Sequence, residues 1–145
     1  MAVSAKWFGK AFLAMLNKEI DWTADTIKVM LCTSSFTPDQ DAMDYQDDIT
    51  NEVSGTGYTA GGATLANASI GYTGATNVVK LDGDDVTWGS STITARYAVI
   101  VDTTPGSSST NPVLGYVDFG EDKSSSGGDF TIQWNADGIL TITPS

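Results

Sequence analysis

Carboxylates are the side chains of this sequence that could most readily do chemistry. The 145 residues include 18 Asp and Glu against 7 Lys and Arg, no histidine and one cysteine, with a formal net charge of −11. Without histidine the chain cannot build a Ser-His-Asp triad, a Cys-His dyad or a metal site that uses histidine. One cysteine, Cys32, excludes an internal disulfide. The acidic balance also disfavours nucleic-acid partners, because phosphates carry the same charge.

Paired acids flanking a sugar cleft are what glycoside hydrolysis requires. Asp84 or Asp85 could supply acids, and the four tryptophans could supply aromatic platforms. Most acids, however, lie in turn-like segments, where Asp is favoured because its side chain bonds the local backbone. Nothing in the sequence isolates one acid in an apolar environment that would raise its pKa. We therefore predict that the chain is not an enzyme, and that it has no catalytic residue and no cofactor.

Calcium is the other use for clustered carboxylates, because it prefers hard oxygen ligands. The segments Asp82-Gly83-Asp84-Asp85 and Asp39-Gln40-Asp41 place such oxygens at short spacing. Neither follows the EF-hand pattern, and each would need ligands from elsewhere in the chain. Solvated acidic turns are the favoured interpretation, so no metal site is predicted, and calcium binding stays open.

Helical periodicity occurs in one segment, at the N-terminus. Apolar residues recur there at four-residue spacing, and neighbouring aromatic and aliphatic residues widen the stripe: Val3, Trp7, Phe8, Ala11, Phe12, Met15 and Leu16. The pattern predicts an amphipathic helix over about residues 3–19, with its apolar side packed against a sheet or a neighbouring subunit. Gly9 is its weak point, because glycine disfavours a helix interior.

Short apolar runs and turn clusters alternate after Trp22. Strands are predicted at Thr26–Cys32, where partial alternation is typical of a half-buried strand, near Tyr58, and at 63–72, 78–81, 86–88, 93–101, 113–119, 130–134 and 139–143. This spacing is typical of a sandwich or barrel. The sequence thus predicts a mainly β fold, a single antiparallel β-sandwich of jelly-roll or immunoglobulin-like type. One domain would span residues 1–145, interrupted by a long acidic loop at about residues 36–52.

Two of these runs look like local hairpins. The strand that contains Trp88 is predicted to turn at Gly89–Ser91 and return as a long strand with Arg96, the only arginine. Strict alternation would place Ala98 and Ile100 on the face of Arg96, which we expect to pair with a carboxylate. The turn Asn135–Gly138 is typical of a second hairpin between its flanking strands.

Two blocks of sequence resemble the small virion proteins of tailed bacteriophages. The first is Ile20–Pro38, and the second starts at Asn51–Leu65 and continues through Asp84–Trp88 and Thr94–Ile100. The resemblance implies a non-enzymatic virion protein made in the cytoplasm of the host bacterium, in first place a decoration (cement) protein on the outside of the capsid. The alternative is a tail tube, neck or tail-fibre component. Implied partners are the major capsid or tail proteins and further copies of this chain.

Assembly contacts are expected on the apolar N-terminal stripe, on the acidic and glycine-rich loops and at the lone arginine. The residues are Trp7, Phe8, Phe12, Asp44, Tyr45, Tyr58 and Arg96. A second alternative is a carbohydrate-binding module, since four Trp and five Tyr could stack on sugars. A membrane partner is not expected, because no stretch approaches the roughly 18 apolar residues that a spanning helix needs.

Overall fold

Antiparallel strands dominate the fold. The computed structural model describes residues 3–144, so residues 1, 2 and 145 of the predicted domain lie outside the described part. Its strands are β1 (Ser4–Trp7), β2 (Ile27–Cys32), β3 (Ala63–Thr64), β4 (Ser69–Thr73), β5 (Val78–Asp82), β6 (Val86–Ser91), β7 (Thr94–Asp102), β8 (Val113–Ser124), β9 (Gly128–Ile132) and β10 (Leu140–Ile142). One helix, α1, spans Lys10–Leu16. The mainly β prediction is confirmed, and none of the described sheets closes on itself.

A five-stranded sheet in the order β1-β8-β7-β2-β3 forms the centre of the molecule. Strand β2 is almost continuously apolar because side chains on both of its faces are buried. Ile27, Val29 and Leu31 contact one group of buried residues, while Met30 and Cys32 contact another. Because successive side chains of a strand point to opposite faces, both faces of this sheet are covered.

We call the buried residues around Ile27, Val29 and Leu31 the first core. The first core covers one face of this sheet. A two-stranded sheet, β6-β9, contributes Trp88 and Phe130, and a three-stranded sheet, β10-β5-β4, contributes Leu81 and Leu140. The rings of Trp88 and Phe130 meet edge to face with their centroids 6.1 Å apart. The three sheets thus share one set of buried side chains.

The second core covers the opposite face and is closed by the predicted acidic loop. Phe36 and Met43 of that segment are buried there beside Phe8. The segment contains a short 3-10 helix, Gln46–Asp48, and its backbone is held by Val113, whose N–H donates to the carbonyl of Asp44 at 3.0 Å. Three acids of this loop, Asp39, Asp41 and Asp47, are exposed and the others are half-buried, while its apolar residues fix it to the sheet.

The predicted helix over residues 3–19 is wrong for its first part. Ser4–Trp7 pairs as an edge strand with β8, and the helix is limited to the seven residues of α1. Gly9 lies at the junction and caps α1 without a side-chain hydrogen bond. The four-residue spacing was misleading because Phe8 is fully buried whereas Leu16 is 82% exposed. Pairing with a long strand outweighs local helix propensity here.

The predicted local hairpins are also wrong, and only the turn at Asn135–Gly138 forms, because Gly89–Ser91 continues strand β6 with a register shift. β6 pairs with β9, and β7 pairs with β8 and β2. β9 and β10 belong to different sheets, although Gly138 adopts φ +106° and donates its N–H to Asn135. β6 finds its partner β9 far along the chain, whereas β4 pairs with the next strand, β5, so turn residues alone do not encode which strands pair.

Candidate functional site

Four of the predicted contact residues lie around α1, together with Lys10 and Glu19, which bond two of them. Trp7 and Phe12 stack with centroids 4.9 Å apart. Beside the helix, Lys10 Nζ lies 3.4 Å from Asp44, and the hydroxyl of Tyr45 donates to Glu19. The carboxylate of Glu19 raises the pKa of Tyr45, since a phenolate there would be repelled.

Around this cluster the surface is partly apolar. A shallow cavity of about 140 Å³ separates α1 from Asp44 and Tyr45, and Leu13 lines it. Leu13 is 61% exposed and Leu16 is 82% exposed, whereas Ala11 and Ala14 pack inward. We call Leu13 and Leu16 the helix patch. It is an apolar surface bordered by an ion pair.

Phe8 and Tyr58, two other predicted contact residues, contact other parts of their own chain, and Phe8 is fully buried whereas Tyr58 is half-buried. Phe8 is 0% exposed and lies 5.3 Å from the ring of Tyr116. The hydroxyl of Tyr58 donates to Glu52 at 2.7 Å and accepts the N–H of Leu31 at 3.0 Å. Burial raises the pKa of Tyr58. Phe8 is therefore enclosed by its own chain, and the hydroxyl of Tyr58 is already occupied by Glu52 and Leu31.

Arg96 makes the predicted pair with a carboxylate. Its Nε donates to Asp118 Oδ1 at 2.6 Å and its Nη2 to Oδ2 at 3.4 Å, with 20% of the arginine side chain exposed. The hydrogen bond from Arg96 lowers the pKa of Asp118. Strict alternation fails here, because the register shifts between Ala95 and Tyr97. Ala98 is consequently buried in the first core.

Several carboxylates of the two predicted acidic clusters bond groups of their own chain, Asp39 and Asp82 locally and Asp85 the distant N–H of Trp134. Asp39 accepts the N–H groups of Asp41 and Ala42, and Asp82 lies 3.2 Å from Lys80 Nζ. Across residues 3–144, no group of three or more Asp, Glu or Cys residues is arranged to hold a metal ion. Asp39 therefore acts as a turn former, and Asp82 forms an ion pair with a lysine of its own strand.

A groove of about 700 Å³ is a feature that sequence reasoning missed. It lies between the β1–β8 edge and β9, and Phe119, Phe130 and Trp134 form part of its lining. Trp134 Nε1 donates to the carbonyl of Asp84 at 2.8 Å, which fixes the indole. The exposed side chains of Gln133 and Asn135 add polar groups to the lining. No sequence pattern could have shown it, because it needs β1, from the other end of the chain, to pair with β8 beside β9.

Two further exposed apolar residues lie on β4, outside every predicted contact. Ile70 is 54% exposed and Tyr72 is 63% exposed. The signal was present in the sequence as a long uncharged run between Glu52 and Lys80. Whether this uncharged run is exposed depends on how β4 pairs with other strands, which only the structure shows.

Comparison of the chain with protein-family models, with curated proteins and with solved structures finds no match. No helix within residues 3–144 is long and apolar enough to cross a membrane. Function must accordingly be inferred from the residues and their geometry.

Proposed function

We propose that this protein is a non-enzymatic structural subunit of a tailed-bacteriophage virion, a decoration protein that binds the outside of the head. The observation that carries the proposal is an acidic body with large apolar side chains on its surface: Val3, Leu13, Leu16, Ile70 and Tyr72. Exposed apolar patches mark surfaces that contact other proteins. The net charge of −11 would repel packaged DNA, which suits a position outside the shell.

The helix patch is the proposed contact with the shell. Leu13 and Leu16 project from a helix whose inner side is fixed by Ala11 and Ala14, so docking would bury them at little conformational cost. Lys10 and Asp44 beside the patch offer charges of both signs at its rim. An apolar centre with a polar rim is the usual composition of a protein interface.

The experiment combines imaging with binding. Electron microscopy of particles that carry a labelled copy should place the label on the outer surface of the head. In sedimentation with heads that lack the protein, the double variant Leu13→Lys/Leu16→Lys should bind at least about tenfold more weakly. The matched control Ser109→Lys/Ser126→Lys makes the same charge change at exposed loop positions and should bind normally. A protein that associates with no particle would contradict the proposal.

A tail tube, neck or tail-fibre component is the alternative within the same class. It would use the same apolar patches to form a ring or a stack of subunits instead of sitting singly on a shell. A label found on the tail would select this alternative over the decoration protein.

The proposal includes a finer description of the fold, a single β-sandwich. One layer would be the five-stranded sheet, and the other would combine β6-β9 with β10-β5-β4. The shared first core supports this arrangement, since Val29 and Leu31 belong to the same cluster as Trp88 and Leu81. An experimental structure in which β6-β9 and β10-β5-β4 do not pack against the face of the five-stranded sheet that carries Val29 would contradict the sandwich.

A carbohydrate-binding module is the second candidate function, and the groove beside Trp134 favours it. An indole fixed by its own hydrogen bond, with Gln133 and Asn135 beside it, is a surface on which a sugar ring could stack. Titration calorimetry against a panel of neutral oligosaccharides tests this function. Binding that is lost in Trp134→Ala would support it, and the absence of binding across the panel would contradict it.

A further inference from the structure

Strand β4 is a free edge without the usual protection. Among the described strands its only partner is β5, so its outer backbone groups face solvent. Edge strands are normally protected by lysine, proline or a bulge. β4 reads Ser-Ile-Gly-Tyr-Thr and has none of these. No charged residue occurs anywhere between Glu52 and Lys80, although the chain as a whole carries −11.

The sheet β10-β5-β4 has one apolar face that continues from the first core to this edge. Its register places Leu140, Leu81 and Ile70 in one row, and Ile142, Val79 and Tyr72 in the next. Each row is buried or half-buried at β10 and β5 and becomes exposed at β4. The charges of the sheet lie on the other face, where Lys80 pairs with Asp82 at 3.2 Å.

Tyr72 is held in place although it is exposed. Its hydroxyl donates to Asn77 Oδ1 at 2.7 Å, in the turn that joins β4 to β5. A fixed aromatic side chain loses little conformational freedom when a partner covers it. Rigid tyrosines of this kind are common binding anchors.

We propose that β4 docks a second copy of this chain by antiparallel strand pairing about a two-fold axis through Gly71. Ile70 would then lie opposite Tyr72 of the second copy, and the two apolar faces would join into one. Aliphatic–aromatic pairs of this kind stabilise antiparallel strands. The joined sheet would have six strands, and the two-fold contact would close as a dimer.

The charge of the chain decides which kind of partner can bind at β4. A cationic partner would be drawn to the acidic loops, whereas a second copy with its own charge of −11 is repelled least where the contact surface is uncharged. β4 and its apolar face are such a surface, and the strand is complementary to itself. This contact rests on the proposed structural role, and it is one interface through which copies of such a subunit would assemble.

Cysteine cross-linking tests the register. Cys32 is fully buried, and burial raises its pKa to about 12, so an introduced cysteine would be the reactive thiol. At Gly71 an added Cβ meets no atom within 4 Å. Gly71→Cys should form an intermolecular disulfide under mild oxidation. Ser69→Cys, on the same strand, should not, because two copies of residue 69 would lie about 13 Å apart, beyond disulfide reach. Equal cross-linking of both variants would overturn the register.

Sedimentation of the purified protein tests the contact itself. The natural chain should dimerise, and its dimer should strengthen as salt rises, because salt screens repulsion between two acidic bodies. Tyr72→Lys should weaken the dimer at least about tenfold. The control Leu16→Lys should leave it unchanged, and far-ultraviolet circular dichroism should match for all three proteins. A natural chain that stays monomeric, or a dimer indifferent to Tyr72→Lys, would overturn the proposal.

These measurements are independent of the phage particle. If the dimer forms through β4 but no particle binds the protein, the proposed function fails and the contact stands. If the protein binds heads as a monomer, the contact fails and the proposed function stands.

Discussion

Asp102 is the residue whose environment differs most from that of an ordinary carboxyl. It is 0% exposed at the end of β7, and its Oδ1 accepts the N–H of Thr104 at 2.9 Å. Its Oδ2 is buried without a hydrogen-bond partner among the described residues. Burial raises the pKa of Asp102 to about 6, and the neighbouring carboxyl of Asp25 adds to the effect. A proton on Asp102 would let it donate to Asp25.

This shift predicts that Asp102 contributes stability at low pH that is lost as the pH rises. Between an unfolded pKa of about 3.9 and the folded value, the folded chain binds more protons than the unfolded chain. The contribution of Asp102 to the free energy of unfolding therefore falls through that window and stays lower above it. Asp102→Asn should be more stable than the natural chain at pH 7.5, by at most about 3 kcal/mol, and should flatten the slope.

Denaturant unfolding between pH 4 and pH 7.5 measures this effect. The control is Asp47→Asn, which makes the same charge change at an exposed carboxylate. A slope that persists in Asp102→Asn would assign it to another group.

Arg96 and Asp118 allow a second residue-level prediction. The guanidinium reaches both carboxylate oxygens, and about a quarter or less of each side chain is exposed. Arg96→Ala should lower Tm by a few degrees, because Asp118 loses its cation while it is partly buried. Arg96→Lys should recover only part of the loss, since an ammonium cannot reproduce the two-pronged contact. Equal Tm values for Arg96→Ala and the natural chain would show that the pair contributes nothing.

At the scale of elements, the N-terminal segment tests how β1 and α1 are fixed. Phe8 lies between them, fully buried, and its N–H donates to the carbonyl of Leu114 at 2.9 Å. Phe8→Ala should cost about 3–5 kcal/mol in urea unfolding, because it leaves a cavity in the second core. Leu16→Ala, at a position 82% exposed, should change stability by less than about 0.5 kcal/mol. Similar costs for both variants would contradict the described packing.

How far the sequence predicts these elements depends on the range of the interaction. The segment Thr26–Cys32 contains a strand as predicted, β2, but both of its faces are covered, whereas partial alternation predicted a half-buried strand. The turn at Gly138 also forms as predicted, since its φ of +106° favours glycine. Which strands pair could not be predicted, because β6 finds β9 some forty residues later. The groove beside Trp134 and the exposed face of β4 depend on those pairings and were missed for that reason.

At the scale of the whole molecule, charge and apolar surface are separated. Most of the acids lie in turns and loops, with others in strands such as β8, while the helix patch and the apolar face of β4 contain no charge of their own. A chain of this kind repels its copies over most of its surface and leaves few positions for contact. That separation is a physical reason to expect oriented assembly instead of general adhesion.

The same net charge acts within each folded chain. With 18 acids against 7 bases, the compact state at pH 7 is destabilised by repulsion that the expanded chain relieves. Adding sodium chloride should therefore raise Tm at pH 7 by a few degrees, through screening over a Debye length of about 10 Å at 0.1 M. The measurement should use Tyr72→Lys, so that salt-dependent association through β4 does not contribute. Near the isoelectric point of about 4.1 the repulsion is largely cancelled, and the same salt should have little effect. An equal rise in Tm at both pH values would assign the stabilisation to general salt effects on apolar burial instead of to net charge.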